Sequence, residues 1–62
     1  MSQFPYMAFE DTDNGIRIIA IDAHLFRLYH RNEAGRERLV APFTTLDGAY
    51  NYFEEEFAID TP

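Results

Sequence analysis

The sequence predicts an α+β domain in which a four-stranded antiparallel β-meander carries one C-terminal α-helix across one of its faces. Three observations predict it. Clusters of turn formers, "DTDNG" at 11–15 and "NEAG" at 32–35, divide the first two thirds of the chain into apolar stretches of strand length. Pairing the two stretches beside the second cluster sorts apolar from charged side chains onto opposite faces. From Leu46 onward the spacing of apolar residues changes to that of a helix. One helix covers one sheet face, so the other is left open.

The first strand, "FPYMAFE", has Pro5 near its start, a position suited to a strand beginning or an edge. A loop at 11–14 pairs Phe9 with Ile16 and Met7 with Ile18, and places Ala8 opposite Arg17. Alternation fails at Ile18–Ile19, which predicts a bulge or a strand buried on both sides. A loop at 32–35 then pairs Leu28 with Leu39, Phe26 with Ala41 and His30 with Glu37. The opposite face receives Arg27, Tyr29 and Arg31 beside Arg36, Arg38 and Val40. A competing reading exists: Ile18, Ile21, Leu25 and Leu28 also recur at helical spacing, with Asp22 as cap and Gly35 as stop. A helix over 18–31 would dissolve the arginine face. In the last element, Thr44 and Asp47 resemble a capping box, and Leu46, Ala49, Tyr50, Phe53 and Phe57 fall on one arc.

At 62 residues the chain is expected to form a single small domain, with ends 1–3 and 60–62 frayed. Its net charge of −6 is unevenly distributed: −3 over 1–13, +2 over 14–38 and −5 over 39–62. That balance opposes broad binding to a phosphate backbone but leaves room for a local basic patch. All five basic residues are arginine, whose guanidinium forks pair carboxylates or phosphates in bidentate fashion. Without cysteine there is no disulfide framework and no thiolate chemistry. Neither a membrane-length apolar run nor a signal-peptide pattern is present, so the expected setting is cytoplasmic.

Catalytic and metal chemistry find little support. No serine or threonine sits beside a base in a pattern suggesting a nucleophile, and a chain this short struggles to enclose a substrate cavity, so no enzymatic activity and no cofactor are expected. His24 and His30 lie about 20 Å apart along a strand, too far to share a metal ion. "DTDNG" has the composition of a calcium loop, but its asparagine and glycine come one position early and no glutamate follows at the required offset.

Two charged groupings remain as candidate sites. Glu54, Glu55 and Glu56, with Asp60 and the flanking Tyr52, place negative charge at the carbonyl end of the helix, where it is unfavourable. That grouping suits a protein partner with a basic surface. Arg27, Tyr29, Arg31, Arg36 and Arg38 form the second, in which guanidinium groups interleaved with an aromatic could contact phosphates and stack a base. Self-association through the open face or an edge strand is a third reading.

The segment "VAPFTTLDGAYNYFEEEF", preceded by "FRLYHRNEAGRERLV", resembles a plan found in small phage-encoded inhibitor proteins, anti-CRISPR proteins among them: a hairpin, a strand ending in Phe-Thr, and one short aromatic helix. The resemblance covers about the last 35 residues and implies a stoichiometric inhibitor whose acidic residues meet a nucleic-acid-binding surface. The expected function is therefore a non-enzymatic protein-binding module, with a nucleic-acid-binding regulator and a self-associating structural protein as the alternatives.

Overall fold

Ile16, Ile18 and Leu28 have no exposure to solvent in a computed structural model of the protein, which describes residues 3–57. These side chains stand on the two central strands of a four-stranded antiparallel sheet. The strands are β1 (Tyr6–Asp11), β2 (Ile16–Asp22), β3 (Leu25–Arg31) and β4 (Glu37–Phe43), in the spatial order β1-β2-β3-β4. Helix α1 (Leu46–Glu56) crosses one face and buries Ala49 and Phe53 against them. Each large aliphatic group removed from water contributes roughly 1.5–3 kcal/mol, so this small cluster accounts for much of the attachment of helix to sheet. The fold is α+β, with residues 18–31 forming parts of two strands and the turn between them rather than a helix.

Both long turns owe their shape to particular side chains. Asp11 Oδ1 accepts the N–H of Asp13 at 3.0 Å and its Oδ2 accepts the Asn14 side-chain amide at 2.8 Å, while Gly15 leaves the turn at φ 69°. In the second turn Asn32 O accepts the Gly35 N–H and Asn32 N–H donates to Arg36 O, both at 2.9 Å. Gly35, at φ 84°, completes a three-residue loop in which a tight turn is followed by a left-handed residue.

That loop changes the register expected from the sequence. Asn32 and Arg36 face each other, so Arg31 pairs with Glu37, His30 with Arg38 and Tyr29 with Leu39. A shift of one residue exchanges faces. Leu39 and Glu37 therefore lie on the open face instead of the helix side, and Arg38 is opposite His30 instead of beside Tyr29. The expected His30–Glu37 and Arg31–Arg36 pairings do not form. A bulge at Val40 then restores the inward orientation of Ala41 and Phe43, opposite Leu28 and Phe26. In the first hairpin the turn lies one residue later than expected, pairing Phe9 with Ile18, and the extra residue is Ala8 on β1. The bulge anticipated at Ile18–Ile19 is thus supplied by the neighbouring strand, and Met7 pairs with Ile19 on the open face.

The helix begins one residue beyond the expected cap. Thr45, not Thr44, is the N-cap, extended at φ −136°, and its hydroxyl oxygen accepts the Gly48 N–H at 3.0 Å. Asp47 stands in the first turn, where a carboxylate favours the helix dipole. Along the sheet-facing side, the Phe9 ring packs against Phe53 and Tyr50 at 5.1 and 5.2 Å between centroids, and Phe43 against Tyr52 at 5.5 Å.

The two left-handed glycines should respond differently to alanine. A Cβ at Gly15 would lie 2.6 Å from the backbone oxygen of Arg31, whose N–H donates to Gly15 O at 2.8 Å, whereas nothing lies within 4 Å of a Cβ at Gly35. Gly35→Ala should cost about 1–2 kcal/mol from backbone strain alone, and Gly15→Ala more than that, because the β2–β3 ladder must also move. Urea denaturation of both variants measures the difference.

Candidate functional site

The open face is built from alternate residues of all four strands, and the observed pairing arranges them in rows. One row runs Glu10, Arg17, Tyr29, Leu39 from β1 to β4, and the next runs Met7, Ile19, Arg27, Pro42. Arg31 and Glu37 lie beyond the first row, toward the hairpin tips. Met7 and Leu39 keep 47% and 46% of their surface exposed, large values for apolar side chains on a sheet.

Arg17 and Glu37 form the one ion pair among the described residues. The Arg17 guanidinium reaches past β3, beside Tyr29, and donates through Nε to Glu37 Oε2 at 2.7 Å and through Nη2 to Glu37 Oε1. Both charges are partly sheltered, with 35% and 22% of their side-chain surfaces exposed. The donated hydrogen bonds from Arg17 hold the Glu37 carboxyl below the usual carboxylate range, with its charge and that of Arg31 acting in the same direction. Reciprocally, Glu37 raises the Arg17 pKa. Sequence reading missed this pair. Glu37 was hidden by the three-residue loop, but Arg17 could have been found: opposing Ile18 to Leu28 places Arg17 beside Tyr29.

Of the predicted arginine grouping, Arg27, Tyr29 and Arg31 share the open face. Arg36 stands in the hairpin turn, its N–H held by Asn32 Oδ1 at 3.0 Å, and Arg38 opposes His30 on the side of the helix. His30 stacks on Phe57, with centroids 5.1 Å apart and planes at 28°. His24 lies in the β2–β3 turn, where its N–H donates to Asp22 Oδ1 at 2.7 Å. A shallow hollow of about 70 Å³ lies beside Arg17, Arg31 and Glu37.

The predicted acidic grouping occupies the far end of the helix. Glu54, Glu55 and Glu56 are all exposed, the last turn contains no basic residue, and none of the three enters an ion pair among the described residues. Tyr52, between Phe43 and Phe57, is half-buried and contributes to the packing of the helix. Asp60 lies outside the described residues. Among the described residues, no group of three or more histidine, aspartate or glutamate side chains is placed to hold a metal ion, and no helix is long and apolar enough to cross a membrane.

Because Glu37 has a lowered pKa when folded, its pair with Arg17 should contribute fully above the unfolded glutamate pKa of about 4.3 and be lost as pH falls through the lower folded-state value. The stability difference between the native protein and Glu37→Gln should accordingly be under about 1 kcal/mol at neutral pH and vanish in strong acid. Parallel urea titrations across that range measure it. Comparison with known proteins finds no family model, no curated protein and no solved structure that matches this chain.

Proposed function

We propose that the protein is a non-enzymatic protein-binding module that docks its acidic helix end on a basic partner surface. The observation supporting this reading is electrostatic: three exposed carboxylates stand at the carbonyl end of α1 with no basic residue in the last turn. Each such carboxylate costs roughly 0.3–1 kcal/mol against the helix dipole. An external cation would offset that cost on binding, and the closely spaced negative charges would steer association with a positively charged surface. The resemblance to small phage-encoded inhibitors supports a stoichiometric inhibitor of a nucleic-acid-binding protein, acting in the cytoplasm of the host.

The nucleic-acid-binding alternative draws less from the geometry. With Arg36 and Arg38 away from Tyr29, the open face combines Arg17, Arg27 and Arg31 with Glu10 and Glu37, and Arg17 is already engaged by Glu37. One aromatic and a nearly balanced charge make a poor track for a phosphate backbone.

Two measurements test the proposal. Replacing Glu54, Glu55 and Glu56 with glutamine should stabilise the isolated protein by about 1 kcal/mol in total, because unfavourable charge is removed. Reversing the triplet to lysine should abolish salt-sensitive binding to an arginine-rich peptide and to the partner captured from host lysate. Unchanged capture by the reversed variant overturns the proposal, as does tight low-salt binding of single-stranded DNA that is lost in Arg27→Ala and Arg31→Ala.

A further inference from the structure

The open sheet face has a composition that the acidic helix end does not explain. Apolar Met7, Ile19, Tyr29, Leu39 and Pro42 lie among charges of both signs, with no element among the described residues covering them. We infer that this face pairs with a second copy of the chain, forming a two-fold, face-to-face dimer of sheets.

Charge distribution favours a second copy over other occupants. Three arginines and two glutamates leave the face at +1, while the rest of the chain carries −7. Face-to-face pairing puts two nearly neutral surfaces together and keeps the strongly acidic helix sides farthest apart, whereas pairing through any helix surface would oppose like charges. A purely acidic partner would meet Glu10 and Glu37, and a purely basic one would meet Arg27 and Arg31. A self-complementary surface tolerates both signs.

The rows also define what each side chain meets. In an aligned packing of the two sheets, the two-fold axis runs either across or along the strands. Across them, each row lies over the other, and Tyr29 meets Arg27 of the second copy. Along them, β2 exchanges with β3, and Tyr29 meets Arg17 of the second copy. Either arrangement sets a guanidinium against the ring of Tyr29, a favourable cation–π contact.

Edge-to-edge pairing is disfavoured by the same structure. β1 is bulged at Ala8 and preceded by Pro5, and β4 is bulged at Val40 and contains Pro42. Both edges are thus interrupted in the ways that block strand addition.

The face measures about 20 by 20 Å from strand spacing and rise, so two copies bury on the order of 800 Å², below the roughly 1,200 Å² of stable specific interfaces and in the range of weak, transient ones. The dimer should accordingly be weak, with dissociation in the range of about 10–100 μM. Sedimentation equilibrium of the native protein should show the mass rising from 7.3 kDa toward twice that value with concentration. Leu39→Glu should weaken dimerisation at least tenfold with unchanged circular dichroism, and Glu54→Gln, Glu55→Gln and Glu56→Gln together should leave it intact. Amide shifts on dilution should localise to Met7, Ile19, Arg27, Tyr29 and Leu39, which decides the matter even if Leu39→Glu fails to fold. A single 7.3 kDa species up to millimolar concentration overturns the inference. So does a dimer that persists in a folded Leu39→Glu variant, or one whose dilution shifts map to the helix or to edge amides alone.

Discussion

The contact of Phe53 and Ala49 with Ile16, Ile18 and Leu28 is the constraint on which the remaining structure depends. These five side chains are almost wholly withdrawn from water and belong to three different elements, β2, β3 and α1. Because the fully withdrawn side chains come only from the two central strands and the helix, the flanking regions are closed largely by rings: Phe9 with Phe53 and Tyr50 on the β1 side, and Phe43 with Tyr52 toward β4. Aromatic side chains cover large areas for few residues, which is how a chain of this length builds a core with three fully buried large aliphatics. All of that material is used on one side of the sheet. The opposite face remains open because no second helix exists among the described residues to cover it.

Given that one-sided core, register becomes the quantity that decides what the open face presents. The loop closed by Asn32 and Gly35 sends Glu37 outward, where Arg17 can reach it across β3, and sends Arg38 to the helix side. The Val40 bulge then corrects the parity, so that Ala41 and Phe43 still point into the core. Two irregularities on one strand therefore act as a pair: the first exchanges faces, and the second restores the packing that stability requires. Between them lies Leu39, an apolar side chain committed to solvent by the turn alone. Ala8 has a similar effect on Met7 in the first hairpin.

This explains how far the fold and the candidate site could be read from the sequence. Element types and their order were legible because period-two and helical spacing survive small errors in register, and because the turn clusters bound each segment. Face assignments were legible only where register did not matter. Phe9, Ile16, Ile18, Phe26 and Leu28 lie on the same side whether a loop shifts by zero or two residues, whereas Leu39, Glu37 and Arg38 depend on the difference between three and four loop residues. Nothing in "NEAG" alone specifies that difference. It comes from Asn32 bonding with both its backbone and its side chain, Gly35 adopting a left-handed conformation, and Arg31–Glu37 replacing a like-charge pair. The arginine grouping therefore depends on register, while the glutamate triplet, placed by helical position, does not.

The triplet and the arginines also bear on each other, because position prevents one from neutralising the other. Arg17, Arg27 and Arg31 stand on the face away from the helix, with the thickness of the sheet between them and the glutamates. On the helix side, His30 stacks on Phe57, at the end of α1, and Arg38 is its strand partner. No ion pair forms at that end of the helix among the described residues. Among the described residues the carboxylates of Glu54, Glu55 and Glu56 therefore have no ion-pair partner that an incoming cation would have to displace. Screening by salt acts strongly on exposed charges of this kind. On the two proposals above, association through the helix end should be governed by ionic strength, and association through the open face by apolar contact.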